Sequence, residues 1–394
     1  MRLLSVFGTR PEAVKMAPLL LALRGEPRVE SLICVTAQHR ELLDQVLTLF
    51  GLIPDYDLDL MEPGQALNAL LARAVAGLDS IFETSAPDRI LVQGDTTTAL
   101  AAALAAFNRG IKVAHVEAGL RTYAADLPWP EEMNRRAIDL ICDLHFAPTT
   151  EAAENLRSER IDGTVLVTGN TGIDALHHLL DRLAADPELR RSAEAALPPV
   201  DPARKLVLVT AHRRESFGAA FEAICDALAE LGARADVDIV YPLHPNPALG
   251  DAARRALGRC ANVHLLPPLP LPSFVRLMQR ADLILTDSGG VQEEAVALGR
   301  PVLVIRDVTE RAEAVGAGAA RLVGRDGDRI LGEMLALLAD PDRGSRFARR
   351  DLLYGDGRAS ARIVDALLGR PVREFSERRP GSPPPDVDPR LRMS

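Results

Sequence analysis

Residues 89–117 read RILVQGDTTTALAAALAAFNRGIKVAHVE. Arg89–Gln93 is an apolar run of strand length that ends at a glycine, Thr97–Asn108 is an alanine-rich helix, and Val113–Glu117 is a second apolar run. Strand, helix and strand in so short a stretch make a βαβ unit, and such units build parallel sheets. The same alternation extends outward. Leu3–Phe7 and Ser31–Val35 read as strands, Glu12–Arg24 and Glu41–Phe50 as helices, and the series runs to about Gly169. A second series opens at Leu206–Thr210 and continues through Ile239–Tyr241, Val263–Leu266, Leu283–Thr286 and Val302–Ile305. The expectation is an α/β chain with two doubly wound parallel sheets and a boundary within 170–203. Residues 371–394, with six prolines and many charges, read as a disordered tail.

Length and composition agree. The 394 residues are enough for two domains, and 47% hydrophobic with 26% charged is ordinary for a folded soluble chain. A net charge of −9 argues against a nucleic-acid-binding face or a polybasic membrane patch. The apolar start, Met1–Phe7, runs straight into Gly8-Thr9-Arg10-Pro11-Glu12 and does not read as a signal peptide. Cys260–Val275, the longest stretch free of Lys, Arg, Asp and Glu, is too short to cross a bilayer. Cys34, Cys142, Cys225 and Cys260 form no metal or redox spacing, so they read as core residues in a reducing cytoplasm.

In an open parallel sheet, ligands bind beyond the carboxyl ends of the strands. Six polar segments fall there. In Gly8–Lys15, two cations stand at the positive end of a helix dipole; Arg10 and Lys15 either hold an anion or point to solvent. In Gly94–Thr98, Asp95 is either a helix cap or a cleft carboxylate, and residue preference alone favours the cap. In His115–Thr122, Glu117 ends an apolar strand, where a carboxylate needs a partner or a purpose; a functional role is favoured over a salt bridge to Arg121. In Pro128–Arg135, Pro130 can open a helix, and Glu131 and Arg135 are spaced to pair on one face. In Thr210–Gly218, His212, Arg213 and Arg214 follow a strand and again imply an anion. In Asp287–Glu294, Ser288, Gly289 and Gly290 open a helix whose free N–H groups suit a phosphate. Glu294 lies one turn on, placed to accept from a ribose diol, and Arg306 and Arg311 add positive charge.

Taken together, FGTRPEAVKMAPL, VTAQHRELLDQVL, PDYDLDLMEPGQ, GDTTTALA, HVEAGLRT, PWPEEMNRR, TGNTGIDAL, HRRESFG, YPLHPNP, LTDSGGVQEEA and TERAEAV resemble the signatures of the bacterial non-hydrolysing UDP-N-acetylglucosamine 2-epimerases. The likeness runs from about residue 1 to 368. It implies two Rossmann-like domains facing a cleft (GT-B-like), one over 1–170 and one over 171–368, with the last helix returning to the first. It implies interconversion of UDP-GlcNAc and UDP-ManNAc by a homodimer that uses neither a metal nor NAD. Ser288, Gly289 and Gly290 would hold the diphosphate and Glu294 the ribose, with Arg10, His212 and Arg311 around the phosphates. Phe274 would join the substrate-binding set. Lys15, Asp95, Glu117, Glu131 and Arg135 would line the sugar side, and Asp95, Glu117, Glu131 and His212 form the catalytic set. Gln38, His39, Gln65, Arg213 and His244 match the region where a second UDP-GlcNAc acts as allosteric activator. Ala312 and the proline-rich 267–272 depart from the family pattern, the latter where members tend to carry an aromatic.

The chemistry accounts for these groups. The C2 proton of a GlcNAc ring has no adjacent carbonyl, so direct removal is hard. Loss of UDP from C1 acidifies it. The site then needs a cationic clamp that releases yet retains UDP, and proton-handling groups on both ring faces. The sequence leaves the acid and base assignments among Asp95, Glu117 and Glu131 open. The alternatives are an epimerase for an oxidised or diacetamido UDP-sugar, a GT-B glycosyltransferase, and a catalytically silent nucleotide-sugar sensor.

Overall fold

The computed structural model describes residues 1–36, 40–62, 64–211, 218–243, 247–340 and 352–376. The chain is α/β, with two parallel sheets. The first contains β1 (Arg2–Phe7), β2 (Glu30–Val35), β3 (Tyr56–Asp57), β4 (Arg89–Gln93), β5 (Lys112–Val116), β6 (Leu144–Ala147) and β7 (Thr164–Val167), in the order β3-β2-β1-β4-β5-β6-β7. The second contains β8 (Lys205–Thr210), β9 (Val237–Pro242), β10 (Val263–Leu266), β11 (Leu283–Thr286), β12 (Val302–Val304) and β13 (Ala320–Leu322), in the order β10-β9-β8-β11-β12-β13. Each lobe is thus a Rossmann-like doubly wound sheet. The strand order reverses beside β1 in one lobe and beside β8 in the other, and each reversal opens a crevice at the strand ends.

Helices cover both faces of each sheet, which explains the continuous apolar runs. In β8 every residue after Lys205 is buried. In the helix Thr97–Asn108, Ala99, Ala101, Ala102, Ala103, Ala105 and Ala106 are all buried, and side chains this small let the helix lie close on its sheet. The helix Thr171–Ala185 straddles the lobes. Its Ala175 packs in the first core with Leu20 and Leu23, whereas Ile173, Leu176 and Leu179 pack in the second with Leu208 and Val240. The helix Ala359–Leu367 returns to the first lobe, where Ile363 and Val364 join the core around Leu19 and Leu23.

The segment read as a disordered tail is ordered over its first six residues. Phe375 is 5% exposed and joins Leu120, Ala147 and Val167 in a small core. Its N–H donates to the Val167 carbonyl (2.8 Å), and the Val167 N–H donates to Glu374 Oε2 (2.9 Å). The open edge of β7 offers the unpaired backbone groups that hold this strap; residues 377–394 lie outside the described residues. All four cysteines are unpaired. Among the described residues no helix is long and apolar enough to cross a membrane.

Candidate active site

The polar segments that the structure describes, residues 212–217 not among them, converge where the two sets of strand ends face each other. After β1, Gly8 has no room for a side chain; a Cβ there would strike the Thr36 and Thr98 hydroxyls. Thr9 and Glu12 form a capping box. Glu12 Oε2 accepts from the Gly8 N–H (3.1 Å), the Thr9 N–H (2.8 Å) and the Thr9 hydroxyl (2.7 Å), while Oε1 accepts from the Thr96 hydroxyl (2.6 Å). Burial pushes the Glu12 carboxyl above the usual range. This residue, which ties the β1 loop to the β4 loop, was not singled out from the sequence, although Thr-x-x-Glu before an apolar helix was its visible signal.

Arg10 and Lys15 do not point to solvent. Arg10 is half-buried and donates to the Leu269 carbonyl of the opposite lobe (3.2 Å); burial lowers its pKa. Lys15 Nζ donates to both oxygens of Glu117, at 2.6 and 2.5 Å. Burial opposes its charge, but Glu117 and Glu293 hold the ammonium pKa above its ordinary value.

Two sequence expectations are corrected here. Thr96, not Asp95, caps the helix Thr97–Asn108, its hydroxyl accepting from the Ala99 N–H (3.0 Å). Asp95 is therefore free to meet Arg135, whose Nε donates to Oδ2 at 3.0 Å. Arg135 does not pair with Glu131. It takes Asp95 and Glu132 (2.7 Å) because Asp95, on a neighbouring loop, offers a carboxylate in the direction the guanidinium points. Glu131 begins the helix Glu131–Ile141 with its Oε2 buried and unpartnered. The Pro130 side of this helix carries Trp129, which is exposed.

Glu117 follows β5 with φ +70°, in the left-handed region that a residue with a side chain adopts at a cost. Its carboxylate receives Lys15, the Gln93 amide and, across the cleft, Arg311 Nη2 at 3.4 Å. Arg121, the alternative partner, is occupied elsewhere by Asp139 and Glu159, each at 2.8 Å.

On the facing lobe, Ser288 sits at the N-cap of the helix Gly289–Ala297 without a side-chain cap bond. The helix start thus keeps free N–H groups and its positive dipole end for an anion. Arg311 lies directly over it; a Cβ on Gly289 would sit 2.6 Å from Arg311 Cζ, whereas one on Gly290 would meet nothing within 4 Å. Arg311 is buried and held by Glu293 (2.9 Å) and Glu310. Although burial opposes its charge, these carboxylates and Glu117 push its pKa up. Asn170 Nδ2 donates to Glu293 Oε2 (2.8 Å), tying the start of the straddling helix to this cluster. Among the described residues Glu294 has no hydrogen bond or ion pair on its carboxyl, and burial pushes it up to about 7. Arg306 is bound to Glu310 at 2.8 Å.

A cavity of about 590 Å³ opens beside Arg10, between Glu41 and Asp44 of one lobe and Pro270, Leu271 and Pro272 of the other. Phe274, in the helix Leu271–Arg280, is half-buried against the second core. Gln65 is held by Arg73 in the first lobe. His212, Arg213, Gln38, His39 and His244 lie outside the described residues.

Residues 21–368 match the UDP-N-acetylglucosamine 2-epimerase family profile. The chain is 52% identical over 369 residues to the UDP-N-acetylglucosamine 2-epimerase of Escherichia coli (strain K12), covering 93% of this chain and 98% of that one. The crystal structure of UDP-GlcNAc 2-epimerase from Neisseria meningitidis bound to UDP-GlcNAc superposes with a TM-score of 0.91 at 45% identity, covering 94% of this chain and all of that one. The Methanocaldococcus jannaschii UDP-GlcNAc 2-epimerase, in complex with UDP-GlcNAc and UDP, gives 0.83 at 30% identity over 94% of this chain and 100% of that one. With the family profile matched over residues 21–368 and half of the residues identical to such a relative across nearly the whole length, the chain belongs to the UDP-N-acetylglucosamine 2-epimerase family.

Proposed function

We propose that the chain interconverts UDP-GlcNAc and UDP-ManNAc. The observation that carries this reading is the meeting of the lobes: Glu117, held by Lys15, faces Arg311, which lies over the uncapped helix start at Ser288. One lobe offers proton-handling carboxylates, the other a seat for a leaving diphosphate. The C1–O bond breaks with its electron pair leaving on UDP, and the C2 proton passes to a carboxylate, giving 2-acetamidoglucal. UDP then returns to C1 as C2 takes a proton on its opposite face. Asp95 and Glu117 are ion-paired, to Arg135 and Lys15; Glu131, with an unpartnered buried oxygen, is the carboxyl free to carry a proton. His212 and Arg10 complete the clamp around the phosphates, and Glu294 accepts from the ribose diol. The cavity between Arg10 and Pro272 takes the nucleoside end, and Phe274 joins the substrate-binding set.

Neither a metal nor NAD enters this scheme. A second UDP-GlcNAc, held by Gln38, His39, Gln65, Arg213 and His244, acts as activator of a cytoplasmic homodimer. The test is incubation with UDP-GlcNAc in deuterated water. Deuterium is expected at C2 of both sugars, and UDP-ManNAc should accumulate. If neither occurs, the reading is wrong.

A further inference from the structure

His115 precedes Glu117 by two residues on β5 and has no part in the scheme above. It is fully buried. Its Nδ1 lies 2.6 Å from Asp139 Oδ1, and its Nε2 lies 2.7 Å from the Gly94 carbonyl oxygen. A carboxylate and a carbonyl only accept. A neutral imidazole has one N–H, so one of the two contacts would set acceptor against acceptor. An imidazolium donates to both.

The surroundings balance that charge. Asp139 Oδ2 also receives Arg121 at 2.8 Å and the Gly119 N–H at 3.3 Å, and Arg121 continues to Glu159. With His115 charged, two cations meet two carboxylates, Glu159 at the partly exposed rim, and this balance lowers the cost of burying each charge. His145, beside His115 on β6, directs Nε2 to the Asp139 carbonyl (2.9 Å), and burial keeps its pKa low, so it adds no further charge.

The cluster grips two backbone points. The Gly94 carbonyl immediately precedes Asp95, and the Gly119 amide lies two residues past Glu117. Both loops need holding: φ is +66° at Gly94, +70° at Glu117 and +87° at Gly119, and a Cβ on Gly119 would strike the Ala152 carbonyl. We propose that His115 is a doubly protonated positioning residue, which with Asp139 pins the Gly94 carbonyl and the Gly119 amide and so sets Asp95 and Glu117 against the reacting carbons. The proposal rests on the epimerase reading, in which those two carboxylates face the sugar.

The test begins with the unmodified full-length chain. In ¹⁵N-histidine-labelled protein, with His115 assigned by backbone correlation, both ring nitrogens are expected to carry a proton under assay conditions, because each faces an acceptor. A neutral tautomer overturns the proposal, and this measurement needs no substitution. The kinetic arm compares two variants. His115→Gln can place its amide N–H toward Gly94; His115→Asn reaches only Asp139. In His115→Asn, kcat is expected to fall about 30-fold or more, because sub-ångström placement controls such reactions. KM for UDP-GlcNAc and the Kd for UDP should stay within about threefold, since the diphosphate seat is on the other lobe. His115→Gln should recover about tenfold of that loss. An unchanged kcat, or equal losses in kcat, KM and UDP affinity, would mean a merely structural role. Failure of the unmodified protein to make UDP-ManNAc refutes the parent reading instead, and the ring protonation is then still read separately.

Discussion

Gly290→Ala separates the needs of the fold from those of the ligand. An ideal Cβ at Gly290 meets nothing within 4 Å, and its φ lies outside the left-handed region. The free protein therefore accommodates the methyl group. At a compatible helical position, glycine to alanine stabilises by about 0.4–1 kcal/mol through the unfolded chain, which raises Tm by about 1–4 °C for a lobe of this size. The same methyl occupies the open first turn where the N–H groups await an anion. If the UDP diphosphate sits there, crowding costs about 1–3 kcal/mol, or roughly 5–150-fold in affinity. The expected variant is more heat-stable yet binds UDP about 10–100-fold more weakly by titration calorimetry. Gly289→Ala behaves differently. Its Cβ would sit 2.6 Å from Arg311 Cζ and Nη1, and Arg311 cannot swing aside without loosening its 2.9 Å bond to Glu293. Losing one such charge-assisted bond costs about 1.5–3 kcal/mol, so this variant should lose both stability and UDP affinity. UDP binding in Gly290→Ala within twofold of the parent would refute the diphosphate seat at Ser288–Gly290.

Two further outcomes can be checked. Glu294 is pushed up to about 7 from an ordinary 4.5 by burial; between those values the folded protein keeps a proton that the unfolded chain has released. The stability of the unliganded protein should therefore fall as pH rises through that window, and Glu294→Gln should remove this component of Tm against pH; an unchanged slope in the variant would sink the assignment. Ending the chain after Arg370 removes the buried Phe375 and the two bonds that close the β7 edge. At about 1.5–3 kcal/mol for the phenyl ring and about 1 kcal/mol per hydrogen bond, the shortened protein should lose roughly 3–5 kcal/mol in denaturant titration and aggregate through the bared edge; an unchanged midpoint would show that the strap contributes nothing.

Apolar runs made β4, β5, β8 and β11 legible, because parallel strands covered on both faces have no polar side to break the pattern. The two-residue β3 and the three-residue edge strand β13 offer no such run. Candidate site residues were legible where they broke a local preference, as Glu117 does at a strand end and Gly289-Gly290 at a helix start. Their partners were not, because local spacing competes with whatever the fold brings nearby. Arg135 could reach Glu131 by helical spacing, yet Asp95, 40 residues away in sequence, takes it. Lys15 and Glu117 are 102 residues apart. Glu293 and Glu294 are neighbours on one helix, about 100° apart around its axis. That rotation binds one to Arg311 and leaves the other without a partner among the described residues, a difference decided by where the second sheet places Arg311. The contact lengths point the same way. Lys15–Glu117 at 2.6 Å and Arg311–Glu293 at 2.9 Å close within their own lobes, whereas Arg311–Glu117, which joins the lobes, is the long one at 3.4 Å. Each lobe thus neutralises its own buried charges first, as the cost of an unpaired buried ion requires. The charge left facing the seam is set by how two separately balanced clusters approach each other, and no local pattern in either segment encodes that approach.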